Sequence, residues 1–270
     1  MNKPQATIID IAKALNISPS TVSRALKNHP DISKATIEKV QQCAKELKYK
    51  PNDLALNLRT KKNNTIAIII PELVHFFFDS ILSGVEEVAS QENFNVLVYQ
   101  SNEKYEKELK ITENIINARV AGVLASLSKE SSTYDHFQAV VDNDIHLVFY
   151  DRICIDIRTD RVVVDDYAGA LQAVEYLINT GCRRIAFYSS PAHLEISKNR
   201  RNGYLDALRK HNLPVDESLI LECDTRDKAL ELTPQVLNSE NPPDAFFATN
   251  DHTATGILHA VKKNRIKSSR

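Results

Sequence analysis

One stretch near the start of the chain, residues 7–26, constrains the fold more than any other. Its first half carries four apolar residues at helical spacing, which are Ile8, Ile11, Ala12 and Leu15. This spacing predicts a short amphipathic helix, and Thr7 with Asp10 resembles the capping box that begins such a helix. Asn16 is a common left-handed residue at the end of a helix, so the first helix is expected to stop there.

The second half of the stretch predicts another short helix after a tight turn. Ser18 is suited to cap it, and Pro19 is tolerated at its first position, where an N–H group has no helical partner. The apolar residues of this helix are Val22, Ala25 and Leu26. They would face the first helix and so tie the two helices together.

Three residues, Pro19, Ser20 and Arg24, are left on the outer face of the second helix. This is the arrangement of a helix-turn-helix, in which one helix braces the module and the other presents side chains to the major groove of DNA. An ordinary helical hairpin in a core is the alternative. The charge distribution favours the DNA-binding interpretation, because residues 1–62 carry a net charge of +7 and the remainder carries −8.

Other classes of protein lack support in the sequence. The six glycines form no phosphate-binding or nucleophile motif, so we expect neither an enzyme nor a cofactor. His252 and His259 are interpreted as surface residues, with metal binding as the less favoured alternative. The cysteines form no C-x-x-C pair, which is typical of free thiols in a reducing compartment. Without a signal-peptide core or a membrane-spanning run, we expect a cytoplasmic protein with no membrane contact.

A third helix is predicted after Ser33, followed by a short segment rich in leucine, residues 49–59. Three helices of this size form a small bundle. The segment is barely two turns long, and isolated helices of that length are marginal in water. We therefore expect it to become helical only when something else holds it, with a simple linker as the alternative.

From residue 65 onward, apolar strands alternate with amphipathic helices. Strands are expected at 66–70, 96–99, 122–126 and 146–150, with helices at 76–91, 104–118 and 134–143. After a polar crossing over 151–160, strands are expected at 162–164, 185–188, 219–221 and 245–248, with helices at 168–180, 197–211, 228–238 and 253–263. This order predicts two doubly wound parallel sheets, with a ligand-binding cleft at the carboxyl ends of their strands.

The features together resemble the LacI/GalR family of bacterial repressors along almost the whole chain. The resemblance is carried by residues 7–26 and 49–59, Phe149-Tyr150-Asp151-Arg152, Val164-Asp165-Asp166, Arg200 with Gly203-Tyr204, and Pro243-Asp244-Ala245 with Asn250-Asp251. It implies an N-terminal all-α helix-turn-helix head and an α/β periplasmic-binding-protein-like body of two doubly wound parallel-sheet subdomains. The implied domains are a DNA-binding domain (1–48), a hinge helix with linker (49–64) and two effector subdomains (65–150 and 151–270).

The resemblance implies which residues would contact DNA. Pro19, Ser20 and Arg24 would face base edges, and a bidentate contact from Arg24 to guanine is worth about 1–3 kcal/mol of discrimination. Phosphate contacts would come from Thr7, Ser18, Thr21, Ser23 and Asn28. The family's hinge helices pair across a dimer axis in the minor groove, so that Leu58 would insert between base pairs with Ala55 on the groove floor. A ligand that rotates the body would release DNA by melting these helices.

The resemblance also implies contacts to a small effector, a sugar or sugar derivative, in the cleft. The candidate residues are Phe77, Phe78, Asp151, Arg152, Asp165, Arg200, Asn250 and Asp251. Structural roles are the alternatives: core packing for the phenylalanines, a salt bridge at the crossing for Asp151 and Arg152, and capping for Asn250 and Asp251. Arg200 suits a bidentate grip on a polar or anionic ligand.

The family pattern extends beyond the length of this sequence. A glycine-terminated turn, further strands and a last helix would follow Lys263, and Arg265 stands where the glycine is expected. We therefore expect a body that is incomplete at its C-terminus, with exposed apolar sheet edges.

The functional expectation is a repressor of carbohydrate-metabolism genes, which binds a palindromic double-stranded DNA operator as a homodimer under control of the cleft effector. Two alternatives stay open at this point. One is a small-molecule binding protein with a vestigial DNA head. The other is a shortened chain that no longer regulates.

Overall fold

The computed structural model describes residues 6–49, 63–73 and 76–268. The chain divides into two compact units, residues 1–62 and 63–270, which are called the head and the body below. Among the described residues, no helix combines the length and the apolar character that crossing a membrane requires.

The head contains the three predicted helices: α1 (Ile8–Leu15), α2 (Pro19–Leu26) and α3 (Lys34–Glu46). The local signals act as predicted, because Asn16 ends α1 in the left-handed conformation with φ of 52° and the Ser18 hydroxyl accepts a hydrogen bond from the Thr21 N–H. Ser33 caps α3 in the same way. The fully buried core of this bundle consists of Ile11, Val22, Ala25 and Val40. Ala55 and Leu58 of the predicted hinge lie outside the described residues.

The body begins with a five-stranded parallel sheet whose strands follow the order β2-β1-β3-β4-β5. Its elements are β1 (Thr65–Ile70), α4 (Phe76–Gln91), β2 (Asn95–Gln100), α5 (Tyr105–Ala118), β3 (Gly122–Ala125), α6 (Asp135–Asp142), β4 (His146–Tyr150) and β5 (Asp160–Val162). Strand β1 is apolar throughout its second half because both faces of the sheet are covered. Ala67 and Ile69 pack in one hydrophobic cluster with residues of α5 and α6, and Ile68 and Ile70 pack in another with Phe78 of α4.

The second part of the body contains a three-stranded parallel sheet of order β7-β6-β8. Its elements are α7 (Asp166–Asn179), β6 (Ile185–Ser189), α8 (Glu195–Lys210), a 3₁₀ turn (Glu217–Leu219), β7 (Ile220–Glu222), α9 (Arg226–Leu237), β8 (Ala245–Ala248) and α10 (Asp251–Ser268). Helices α7 and α8 approach closely at Gly203, where an added Cβ would lie 2.4 Å from the Tyr167 carbonyl oxygen. The prediction of two doubly wound parallel sheets is confirmed.

The strand predicted at 162–164 was placed in the wrong sheet. It was expected to begin the second sheet, but the observed strand is β5, which pairs with β4 and extends the first sheet. Val162, Val163 and Val164 are 66%, 52% and 70% exposed, as befits the open edge of a sheet. The polar run at 151–160 is therefore a loop within the first subdomain, and the chain crosses to the second sheet only after Val162.

Helix α10 also differs from its expected length. It was predicted to end at Lys263, whereas its backbone continues to Ser268. The position of Arg265 is therefore helical, where the family pattern would have a glycine turn.

Candidate nucleic-acid interface and effector cleft

The outer face of α2 in the head presents the predicted base-reading residues to solvent. Pro19, Ser20 and Arg24 are all exposed. The Arg24 side chain is 59% exposed, and its Nη1 atom lies 4.0 Å from the carboxylate of Asp31, which is itself exposed. Exposed pairs at this distance contribute little to stability. The guanidinium therefore keeps most of its hydrogen-bonding capacity for an external acceptor.

Hydroxyl groups cluster at the N-terminus of α2. The Ser18 Oγ atom lies 2.7 Å from the Ser20 Oγ and 2.8 Å from the Thr21 Oγ1, and it accepts a hydrogen bond from the Thr21 N–H at 3.1 Å. Backbone N–H groups and the helix dipole favour an anion at such an end. Hydroxyl donors in this place suit contacts to a phosphate group.

The other predicted phosphate ligands occupy different environments in the head. Ser23 is half-buried on α2, whereas Thr7 and Asn28 are exposed. The Asp10 carboxylate accepts hydrogen bonds from the Thr7 N–H at 2.8 Å and from its hydroxyl at 2.7 Å. The Asn28 Oδ1 atom accepts one from Gln41 of α3 at 3.0 Å. This contact from Gln41, which is exposed on α3, was not predicted from the sequence.

In the body, polar side chains gather where strands of both sheets end. Glu103 follows β2, Lys129 follows β3, and Asp151 with Arg152 follows β4, while Asp224 and Asn250 follow β7 and β8. The Lys129 Nζ atom lies 2.7 Å from the Asp224 carboxylate, so these two edges meet. This is the cleft that the strand order predicts.

Asp151 carries a largely shielded carboxylate at the cleft edge of the first sheet. Its backbone has a left-handed φ of 57°, and its side chain is 12% exposed. Burial raises the pKa of Asp151 above its ordinary value, and Arg152 and Arg200 only partly oppose that rise. A partly desolvated carboxylate is a strong acceptor for hydroxyl groups.

Arg152 forms its close salt bridge with Glu103 and not with the adjacent Asp151. Its Nη1 atom donates to both carboxylate oxygens of Glu103 at 2.7 and 2.9 Å, whereas its Nε atom is 3.9 Å from Asp151. Glu103 also accepts a hydrogen bond from the Lys129 N–H at 2.8 Å. Arg152 thus fixes the loops after β2 and β3.

Arg200 of α8 is engaged within the second subdomain. Its Nε atom donates to the Asp166 carboxylate at 2.8 Å, and its Nη1 atom donates to the carbonyl and hydroxyl oxygens of Thr249 at 2.5 and 3.1 Å. The neighbouring Asp165 caps α7 by accepting from the Ala168 N–H at 2.8 Å. A free bidentate grip by Arg200 would require it to leave these partners.

The predicted residues at the start of α10 divide between capping and exposure. Asn250 caps the helix, because its Oδ1 atom accepts from the Thr253 N–H at 2.9 Å, and its Nδ2 atom donates to the Asp224 carbonyl at 3.1 Å. Asp251 is exposed.

The two predicted aromatic residues of α4 have different surroundings. Phe78 is 3% exposed, and its ring makes an edge-to-face contact with Tyr150 at 6.4 Å. Core packing therefore describes Phe78. Phe77 is 50% exposed, so its ring is accessible to a ligand.

The structure brings further polar residues to the cleft that the sequence analysis missed. Glu103, Lys129, Asp166 and Asp224 all pair with predicted residues or with each other. Their available signal was position, since each follows an apolar strand within a few residues. In addition, Ser101 Oγ, Ser197 Oγ and Thr253 Oγ1 are buried without a hydrogen-bond partner among the described residues. Within those same residues, no group of three or more acidic, histidine or cysteine side chains could hold a metal ion.

Comparison with known proteins gives two family matches that together span most of the chain. Residues 7–52 match the family described as bacterial regulatory proteins, lacI family. Residues 63–269 match the family described as periplasmic binding proteins and sugar binding domain of LacI family.

Curated relatives align along nearly the whole chain. Catabolite control protein A of Priestia megaterium is 30% identical over 258 residues, covering 95% of this chain and 77% of that protein. The HTH-type transcriptional repressor CytR of Escherichia coli is 29% identical, with 97% and 76% covered. The NTD biosynthesis operon regulator NtdR of Bacillus subtilis is 31% identical, with 97% and 79% covered.

Solved structures share the fold. The lac repressor dimer bound to operator and the anti-inducer ONPF has a TM-score of 0.79 at 22% identity, covering 97% of this chain and 78% of that chain. The complex of the transcriptional regulator CelR with cellobiose has a TM-score of 0.66 at 24% identity, with 96% and 78% covered. At these identities the likeness concerns the fold alone.

Proposed function

The chain belongs to the LacI family of bacterial regulatory proteins, and on that premise we propose that it represses genes of carbohydrate metabolism. It acts in the cytoplasm as a homodimer on a palindromic operator, and it catalyses no reaction. A sugar or sugar derivative in the cleft controls its affinity for DNA. The relatives are transcriptional regulators rather than enzymes.

The observation that carries the proposal is the exposed face of α2. The Arg24 side chain is 59% exposed and lies 4.0 Å from the exposed Asp31 carboxylate, and hydroxyl groups cluster at the helix N-terminus. We assign base contacts to Pro19, Ser20 and Arg24. Phosphate contacts are assigned to Thr7, Ser18, Thr21, Ser23 and Asn28. Phosphate contacts position a protein on DNA, and base contacts provide its sequence specificity.

Beyond the DNA-binding domain at 1–48, the segment at 49–64 is proposed as the hinge and linker. Leu58 and Ala55 would there enter the minor groove, as the family resemblance implies. Apolar insertion kinks the duplex by roughly 20–90°. This part of the proposal rests on the family and not on the described residues.

The cleft is proposed as the effector site, with Asp151 as its main acceptor and Phe77 as an apolar wall. Arg152, Asp165, Arg200 and Asn250 would shape the site, since each already has a protein partner; Asp251 is exposed at the start of α10. The buried hydroxyls of Ser101 and Ser197 have no hydrogen-bond partner within the part of the chain that the structure describes. A ligand with several hydroxyl groups fits this chemistry, and the CelR–cellobiose complex shows the same fold with a sugar.

The test is selection of bound duplexes from a random DNA pool by the full-length protein. The proposal expects enrichment of a palindromic sequence, followed by its release or tighter binding when sugars are screened against the complex. Enrichment without any response in the sugar screen would contradict the effector part. A folded protein that enriches no sequence would contradict repression and favour a binding protein with a vestigial head.

A further inference from the structure

An ion pair between Lys129 and Asp224 joins the two subdomains of the body across the cleft. The Lys129 Nζ atom lies 2.7 Å from the Asp224 Oδ2 atom. Lys129 is in the loop between β3 and α6, and Asp224 is in the loop between β7 and α9. The Asp224 side chain is 3% exposed and that of Lys129 is 23% exposed, so the contact is largely shielded from water.

Both partners are braced within their own subdomain. Glu103 accepts from the Lys129 N–H at 2.8 Å and is held in turn by Arg152 at 2.7 Å. On the other side, Asn250 donates to the Asp224 carbonyl at 3.1 Å, and Lys228 donates to its carboxylate at 3.3 Å. Each charge is therefore presented from a fixed loop, which lowers the entropic cost of pairing.

A buried pair behind the first loop fixes it further. Glu108 and His136 have fully buried side chains, and the His136 Nε2 atom lies 2.9 Å from the Glu108 Oε1 atom. The Glu108 carboxylate also accepts from the Ser128 N–H at 2.7 Å and from the Ser131 hydroxyl. The loop that carries Lys129 is thus anchored on both sides of that residue.

We propose that Lys129 and Asp224 form a closure latch, a pair of positioning residues that hold the two subdomains together across the cleft. Separating the subdomains leaves each charge without its main partner in a partly dry site, and that loss favours the closed state. A ligand that binds the open or closed state better must work against or with this latch. Its regulatory meaning rests on the proposed function, whereas the latch itself rests on the contacts.

The test is hydrogen–deuterium exchange of the full-length protein with no ligand added. Lys129→Met should speed exchange by about five-fold or more both in residues 126–131 and in residues 223–226. Loss of a shielded ion pair should shift the equilibrium between the closed and open states by at least that factor. The matched control is Lys228→Met, which removes another partner of Asp224 within the same subdomain. That control should leave exchange in residues 126–131 unchanged.

A double-mutant cycle separates the latch from local effects. Asp224→Asn and Lys129→Met should not add in residues 126–131, since either change alone breaks the same contact. Faster exchange confined to residues 126–131 in Lys129→Met would overturn the latch, as would additive effects of the two changes. Lys129 is partly exposed, so Lys129→Met should leave the body folded. The Lys129→Met result therefore decides the test even if Asp224→Asn unfolds the body. If exchange changes in both loops as expected but the protein binds no operator, the result supports the latch and contradicts the proposed function.

Discussion

Arg24 of the head is predicted to bind DNA and Arg200 of the body to bind the effector, and the two arginines have different surroundings in the structure. The Arg24 side chain is 59% exposed, and its Nη1 atom lies 4.0 Å from the exposed carboxylate of Asp31. Arg200 is 23% exposed and donates to both Asp166 and Thr249. An uncommitted guanidinium suits a partner that brings its own acceptors, such as DNA. A committed one suits a cleft whose shape is set before its ligand arrives.

The same contrast holds for the acidic residues of the two units. Asp10 and Asp31 of the head are exposed, whereas Glu108 and Asp224 of the body are buried among fixed partners. Changes to exposed charged side chains of the head should therefore alter DNA binding with little loss of stability. Changes in the body should alter stability or closure first.

The largest effect is expected for Glu108→Ala. The change leaves the buried Ser128 N–H and the buried His136 ring without their partner, and each buried polar group left unpaired costs about 1–3 kcal/mol. Chemical denaturation of the full chain should show this loss in the body transition. Glu106→Ala, at an exposed position on the same helix, should change stability little. Equal stability of the two variants would contradict the view that the body depends on buried polar contacts.

The next effect concerns DNA affinity. Arg24→Ala should lower the affinity for the enriched operator by about 1–3 kcal/mol, because it removes the base contact proposed for this residue, and thermal unfolding should be unchanged. Fluorescence anisotropy with the operator and a scrambled duplex measures this. Arg24→Lys retains the charge but not the fork, so it should keep non-specific binding and lose discrimination. If Arg24→Lys discriminates as well as the parent, base reading by this residue is wrong.

A smaller effect is expected at the cap of α2. Ser18→Ala should destabilise the head by about 1 kcal/mol, since the Thr21 N–H loses its acceptor. Ser18→Asn, which can cap the same helix, should restore most of that stability. Measuring DNA affinity on both variants shows whether the hydroxyl also binds phosphate. Affinity that follows stability alone would remove Ser18 from the interface.

The smallest effect has the opposite sign and lies in the cleft. Burial raises the pKa of Asp151 above its unfolded value, so its ionised form is less favourable in the folded protein. Asp151→Asn should therefore raise the melting temperature at neutral pH. The difference should shrink as the pH falls through the pKa of Asp151, where the native carboxyl becomes neutral too. A lower melting temperature for Asp151→Asn at neutral pH would mean that its charge is stabilised by the neighbouring arginines.

The head could be predicted closely because its signals are local. The helix caps contact groups only a few residues away, and such contacts can be predicted from the sequence; the residues concerned are Thr7, Asn16, Ser18 and Ser33. The body was predictable at the level of strands and helices. Its strand β5 was assigned to the wrong sheet because pairing with β4 depends on tertiary structure, which an apolar run does not encode.

The cleft was only partly predictable for a related reason. Arg152 and its partner Glu103 are 49 residues apart, and Lys129 pairs with Asp224 from the other subdomain. Arg152 was predicted as a site residue, whereas its partner Glu103 and the pair Lys129–Asp224 were not. The positions of these residues at strand ends follow from the sequence, but their pairing depends on the tertiary structure.

The most direct test of the central claim is the ratio of affinities for the enriched operator and for a scrambled duplex, measured by titration in one buffer. If the exposed face of α2 reads bases as proposed, the ratio should be about 10³ or more, as it is for specific DNA-binding proteins. Both affinities should fall steeply as salt is added, because phosphate contacts release counterions. Equal affinities for the two duplexes would contradict the account.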